Sequence, residues 1–277
     1  MRSQDIQFAI RLSDQEKWGI TRGDLARILQ LDPRGSFIAE EGAKRLGLAT
    51  TTTYGRKLAW IGNVIVDRHY RGKSIGSALV QRVVEHLQKL GTQHIALYCY
   101  DENVKFYQKL GFVRDAPFAR LQRNPKAFDF TPATPNHPRT LTLRATLAAD
   151  EKAFGADRSR LIRAFLRTKA GWYLGLSNAP AGSGYLLVKE YKEMYEIGPW
   201  VCIRASRTQP REMLHLALAK TARKTVEVSC FRGHEAVGIL MKNGFRMVRR
   251  GYRMYFGKIA RIGRPGANYA LGFLDKG

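Results

Sequence analysis

Between Leu58 and Leu90 the sequence commits to a strand, a loop and a helix, in that order. Leu58–Val66 is an apolar run with one polar residue inside it, Asn63. Asp67–Gly76 follows as a basic loop with glycines at 72 and 76. From Ser77 to Leu90 the apolar residues are Leu79, Val80, Val83, Val84, Leu87 and Leu90, which is helical spacing with one buried stripe. Gly91 stops that helix and Lys89 suits its last turn. A glycine-bearing loop that opens a helix directly after a strand presents free backbone N–H groups at the positive end of the helix dipole. Arg71 and Lys73 add charge to it. Such a loop cradles phosphate, so a phosphorylated cofactor is expected here.

The residues around this unit suggest a mixed α/β fold. His94–Tyr100 reads as a strand parallel to Leu58–Val66, because a helical crossover joins them. Asp101 is placed to cap a short helix that ends at Gly111 and carries Phe106, Tyr107 and Leu110. Upstream, Ile6–Arg11 reads as a strand, with helical patches near Asp14–Trp18 and Arg22–Gln30. Ser36–Glu41 and Arg45–Tyr54 read as a hairpin turning at Glu41–Lys44. Asn124–Arg139 holds four prolines and no periodicity, and reads as a linker. The boundaries are therefore 1–123 for a first domain, 124–138 for the linker and 139–277 for a second. In the second, strands are expected at Thr140–Leu147, Gly171–Leu176, Tyr185–Val188, Tyr195–Ile203, Thr225–Val228 and Phe245–Phe256. Helices are expected after Asp157, from Pro210 and over Glu235–Asn243.

The two halves echo each other. Ile61-Gly62 recurs as Ile197-Gly198, and Leu110-Gly111-Phe112 as Asn243-Gly244-Phe245, at nearly equal separations. They differ where chemistry is expected. The segment Arg204–Pro210 carries no glycine where the first half has two. Leu240 stands where the first half has Tyr107. The second copy is expected to have lost catalysis.

Together, these motifs resemble the GNAT superfamily of N-acetyltransferases. Arg71-Gly72-Lys73-Ser74-Ile75-Gly76 is similar to that family's acetyl-CoA loop, with Ser74 in the place of its first glycine. A positive φ at Ser74 would cost about 1 kcal/mol or more. Asn103, Tyr107, Leu110, Gly111 and Phe112 match its second motif. The whole chain looks like a two-domain subgroup in which an active first domain precedes a degenerate one. The resemblance implies an α/β (α+β) class of tandem GNAT-like folds, each a mixed, mostly antiparallel twisted sheet flanked by helices. It implies acetyl-CoA as co-substrate and a primary amine, on a small molecule or a protein or peptide, as acceptor. Ile65 and Val66 would pair with the pantetheine arm. Arg71, Gly72, Lys73, Ser74, Ile75, Gly76 and Ser77 would hold the pyrophosphate. Asn103 would touch the cofactor, and Tyr107 would protonate or hydrogen-bond the departing sulfur.

The general base stays open. The strand Leu58–Val66 contains no carboxylate; Asn63 would order a water or satisfy a strand end, and Glu40, Glu41 and Asp101 are alternatives. His69 reads as a phosphate or surface residue. The scattered histidines and the three cysteines show no metal spacing, and no metal is expected. The free cysteines and the polar residues 1–5 suggest a cytoplasmic protein, and no run of apolar residues is long enough for a membrane span. The oligomeric state is open. Net charge is +24. This excess suits a polyanionic partner such as RNA, DNA or an acidic surface, or a solubility adaptation. Arg246–Arg264 interleaves basic residues with Tyr252, Tyr255 and Phe256, which suits either a nucleic-acid grip or a strand with a solvated face. Two alternatives to the enzyme reading follow: a non-catalytic acetyl-CoA-binding module, and an acetyltransferase for a nucleic-acid-linked amine such as aminoacyl-tRNA.

Overall fold

The structure is a computed structural model that describes residues 1–125, 139–167, 171–178, 182–203, 208–221 and 223–277. Most of the linker (126–138) and residues 204–207 of the second half's loop lie outside the described residues. The chain divides into two compact units. Unit 1 is Met1–Asp115 with Tyr252–Ala260 and Leu274–Gly277; unit 2 is Ala116–Gly251 with Arg261–Phe273.

Unit 1 runs α1 (Ile6–Gln15), α2 (Arg22–Leu31), β1 (Phe37–Glu41), β2 (Lys44–Tyr54), β3 (Leu58–Val66), α3 (Ile75–Lys89), β4 (His94–Tyr100), α4 (Val104–Lys109) and the start of β5 (Phe112–Arg123). β1, β2 and β3 pair antiparallel, and β4 joins β3 in parallel as the helical crossover requires. Val80, Val83, Val84 and Leu87 of α3 pack on Ala59, Ile61, Ile95 and Leu97, so the predicted stripe faces the sheet. Leu90, the last predicted member of that stripe, is exposed instead.

Unit 2 contains β6 (Arg139–Thr140), α5 (Leu143–Phe154), α6 (Ser159–Arg167), β7 (Gly171–Asn178), β8 (Gly182–Glu190), β9 (Met194–Ile203), α7 (Gln209–Lys220), β10 (Thr225–Phe231), α8 (Glu235–Lys242), the start of β11 (Arg246–Phe256) and β12 (Asn268–Ala270). β6 to β9 form an antiparallel run, and β10 joins β9 in parallel. Each unit is therefore a mixed, mostly antiparallel sheet flanked by helices.

The repeat is visible in the backbone. In unit 1 the parallel pairing of β3 with β4 stops at Trp60, and the β2–β3 register slips between Gly62 and Ile65. In unit 2 the parallel pairing of β9 with β10 stops at Ile197, and the β8–β9 register slips between Ile197 and Trp200. The repeated Ile-Gly pair thus marks the same bulged strand in both units.

Two strand expectations fail. Ile6–Arg11 is helical, because Ile6, Ala9 and Leu12 share a face buried against Leu25, Ile28, Leu48 and Ile65. Packing overrides the β-like run of apolar residues there. Thr140–Leu147 is a strand only at its start. Thr142 accepts a hydrogen bond from the Ala145 N–H (3.2 Å) and so caps α5. The two compact units are also not contiguous in sequence, since unit 1 takes up Tyr252–Ala260 and Leu274–Gly277. The end of β11 lies beside β4, where Met254 and Phe256 fill the unit 1 core and the Cys99 thiol points at Met254 Sδ (3.3 Å).

Candidate active site

The site is built where β3 and β4 part. They pair from Leu58 opposite His94 to Trp60 opposite Ala96, and no further. Beyond that point, among the described residues, no strand pairs with β3 from Ile61 to Val66 on the β4 side. An extended ligand can add to such an edge through main-chain hydrogen bonds. The bulge over Gly62–Ile65 sits at the apex of this fork, with Asn63 at φ 50°. Asn63 is buried; its side-chain amide donates to Thr50 Oγ1 at 3.0 Å.

β3 hands over to the basic loop. The Asp67 side chain accepts from the His69 N–H (3.0 Å), closing a short turn over Arg68–Tyr70. The Arg71 guanidinium donates from Nε to the Val66 carbonyl (3.0 Å) and from Nη2 to Glu16 Oε1 (2.5 Å). Gly72 has φ 79° and nothing within 4 Å of where a Cβ would stand. Ser74 takes the left-handed region at φ 58°, so the unfavourable branch foreseen from the sequence is the one adopted. The first helical hydrogen bond of α3 runs from the Ala78 N–H to the Ser74 carbonyl (3.0 Å), which leaves the preceding amides without an intrahelical acceptor. Those amides, the dipole of a fifteen-residue helix and exposed Lys73 suit a diphosphate. At Gly76 a Cβ would stand 3.5 Å from Phe106 Cζ and 3.7 Å from Val66 Cγ2. The start of α3, the end of β3 and α4 therefore meet at Gly76.

Tyr107 lies in the core of unit 1, in the same cluster as Ile61 of β3 and Cys99 of β4. It is 9% exposed and packs edge-on to Phe106 (4.9 Å) and Phe112 (5.7 Å), in the same cluster as Cys99 and Leu97. Burial, with the nearby Cys99 thiol second, pushes its phenol well above its ordinary value. Burial likewise pushes the Cys99 thiol up to about 12, with Asp101 adding to the shift.

Residues 6–112 match the Acetyltransferase (GNAT) family model, and residues 146–269 match an acetyltransferase (GNAT) domain model. The chain belongs to the GNAT acetyltransferase family. It is 29% identical over 107 residues to an uncharacterized N-acetyltransferase of Methanocaldococcus jannaschii, covering 35% of this chain and 46% of that protein. It is 35% identical over 118 residues to GCN5-related N-acetyltransferase 1, chloroplastic, of Arabidopsis thaliana, covering 39% of this chain and 60% of that protein. The chain thus spans about half the length of these relatives. A crystal structure of a candidate acetyltransferase from Pyrococcus horikoshii shares the fold over 100% of this chain and 94% of its own, with a TM-score of 0.79 at 22% identity.

In unit 1, Ile65 and Val66 end β3, Arg71–Ser77 form the loop and first turn of α3 that follow it, and Tyr107 of α4 lies in the core beneath them. Asn103 is exposed at the start of α4, and its side chain makes no capping hydrogen bond. Glu40 and Glu41 fall on the edge strand β1, two strands from the fork, and Glu40 pairs with Arg45 (3.5 Å). Asp101 opens a short turn before α4 rather than capping that helix. In β11, Tyr255 is buried and Arg253 is paired with Asp115 (2.6 Å), whereas Arg246, Arg249 and Arg250 are exposed. Among the described residues no three His, Cys, Asp or Glu side chains are gathered for a metal, and no helix is long and apolar enough to cross a membrane.

Two participants escaped the sequence reading. Glu16, at the end of α1, holds Arg71. The segment Leu274–Gly277 lies on β3. Trp60 Nε1 donates to the Leu274 carbonyl (3.2 Å), and the Tyr54 hydroxyl donates to the Lys276 carbonyl. One sequence signal for this existed. A Cβ on Gly62 would stand 2.2 Å from the Asp275 carbonyl oxygen, so the recurring glycine marks a strand that another stretch of backbone must cross closely.

Proposed function

We propose that the chain is an acetyl-CoA-dependent N-acetyltransferase that moves an acetyl group to a primary amine, with the chemistry in unit 1. The observation that carries this reading is the fork between β3 and β4, flanked by an amide-rich basic loop on one side and a buried phenol on the other. Lys73 and the amides from Gly72 to Ser77 receive the pyrophosphate, while Arg71 braces the loop through Glu16 and Val66. The Ile65–Val66 edge takes the pantetheine arm; the Val66 carbonyl keeps a second lone pair beside the Arg71 bond. Acetyl-CoA supplies the thioester. This chain's own residues orient it and manage the protons.

Tyr107 has a defined task in that scheme. A free thiol has a pKa near ~8.5 and a free phenol near ~10, so in water the phenol is a poor donor to a thiolate. Burial changes both. Cys99 shows what the same cluster does to a thiolate, with a thiol pushed up to about 12. Burial raises the Tyr107 phenol as well, so it stays a neutral hydrogen-bond donor to the departing sulfur across the working pH range.

Catalysis is assigned to the first half alone. The second offers no glycine between Arg204 and Pro210, and Leu240 in place of the phenol. The test is release of CoA thiol from acetyl-CoA with a panel of n-butylamine, spermidine and a lysine-bearing peptide. Steady release that depends on the amine supports the reading; stoichiometric CoA binding without release leaves a binding module. The net charge of +24 favours one variation, an acceptor amine carried on a polyanion such as aminoacyl-tRNA. That variation requires RNA binding that weakens steeply with salt, and absence of binding at low salt removes it.

A further inference from the structure

We propose that Asp275 is the proton acceptor for the incoming amine, supplied to the fork by a segment remote in sequence. The inference rests on the acetyltransferase reading above. An alkylamine arrives mainly protonated at neutral pH, and β3 carries no carboxylate to relieve it of that proton. The segment Leu274–Gly277 belongs to unit 1 and lies along β3 just past the last residue paired with β4. Asp275 Oδ2 is 3.3 Å from the buried Asn63 amide, within the bulge at the apex of the fork. Asn63 is fixed in turn by Thr50, so the carboxylate is held by a two-residue relay from β3 to β2.

The position is also reachable, since the Asp275 side chain is 22% exposed. It already receives a primary ammonium: Lys276 Nζ stands 2.5 Å from the same oxygen. Lys276 is a charged group bonded to Asp275; Asn63, which also reaches it, is uncharged, as are Trp60, Thr50 and Tyr54, which hold the backbone around it. The close approach is built into the backbone, because Gly62 leaves room for Asp275 where any side chain would collide.

The step balances with the groups present. The amine, bound as an ammonium, gives one proton to the Asp275 carboxylate. Its freed lone pair forms the C–N bond to the acetyl carbon as the C–S bond breaks, and that electron pair stays on sulfur. Sulfur takes the Tyr107 proton, the phenolate takes the second proton from nitrogen, and Asp275 releases the first to solvent. The net products are an amide, a thiol and one proton.

The test compares wild type and Asp275→Asn, using acetyl-CoA and the best acceptor of the amine panel across pH 6 to 10. The expected result is a loss of about 100-fold or more in kcat at pH 7, with KM for acetyl-CoA unchanged. The deficit should shrink towards pH ~10, where the amine sheds its proton unaided. A kcat within about threefold of wild type, or a deficit of equal size at every pH, overturns the proposal; the latter makes Asp275 a packing residue. Wild type gives a second reading should the variant not fold. Its kcat/KM for the amine should be level between pH 7 and 9, and a tenfold rise per pH unit through that range contradicts a resident base. If wild type releases no CoA with any amine, the acetyltransferase reading falls and takes this assignment with it; normal wild-type turnover with an unaffected Asp275→Asn removes this assignment alone.

Discussion

A phenol between Phe106 and Phe112 has lost most of its water, and its acidity is set by that loss. Removing the oxygen should leave the packing nearly intact. Tyr107→Phe is therefore expected to lower kcat by about 100-fold while CoA affinity stays within about twofold, checked by steady-state kinetics and a binding titration. Because the phenol stays protonated well above its ordinary range, the deficit should be the same at pH 6 and pH 9; a deficit confined to one end of that range would remove Tyr107 from proton transfer. Ser74 makes a different case. Its left-handed backbone is a strain glycine does not carry, so Ser74→Gly should add up to about 1 kcal/mol of stability, seen as a rise of about 2–4 °C in Tm. The conditional cost at Ser74 was legible in the sequence because the motif fixes where the helix starts. The partner of Arg71 was not legible, because Glu16 reaches it from another helix, 55 residues away.

Among elements, β3 carries the most constraint. It pairs on one side with β2, on the other with β4 for three residues, and then opens. Its apolar run, the basic loop after it and the helix stripe were all readable, because local periodicity and turn chemistry decide them. The helical state of α1 was not, since it follows from packing of Ile6, Ala9 and Leu12 on α2, β2 and β3. Nor was the crossing of β3 by Leu274–Gly277, which depends on tertiary contact more than 200 residues apart in sequence. Gly62→Ala tests that crossing. Its Cβ would meet backbone, which cannot step aside cheaply, so a loss of about 1–3 kcal/mol in stability is expected together with reduced turnover. Gly198→Ala repeats the experiment in unit 2, where the Cβ would meet the Leu271 carbonyl oxygen at 2.0 Å; it should destabilise without lowering kcat at temperatures where the fold is intact. Chemical denaturation and kinetics on both variants check the pair.

At the scale of the molecule, one fold is used twice, and we propose that only the first copy is armed. The repeated Ile-Gly and Gly-Phe strings disclosed the duplication, and the matching bulges in β3 and β9 give it a structural basis. The division into units was less legible, because the final residues of β11 join the first unit's core, and no local pattern announces such a placement. The whole chain also carries an alkaline weakness. Burial pushes Cys99, Cys202 and Cys230 each up to about 12. The folded protein therefore keeps protons that the unfolded chain releases above pH ~8.5. That stability is fully present below pH ~8.5 and is lost as pH rises towards 12, at up to about 1.4 kcal/mol per pH unit for each thiol. Denaturation midpoints should fall between pH ~8.5 and ~10, before the lysines begin to discharge; midpoints that stay level from ~8.5 to ~10 would contradict this.

The claim at the centre is that the amides between residues 71 and 77, in unit 1 alone, hold the diphosphate of the acyl donor. Calorimetric titration of CoA into wild type and Gly76→Asp tests it most directly, since the substitution places bulk and negative charge at the start of α3 between Phe106 and Val66. One equivalent of CoA bound by wild type, and none by the variant with its fold retained, is the predicted result. No heat with wild type, two equivalents per chain, or an affinity untouched by the substitution would contradict it.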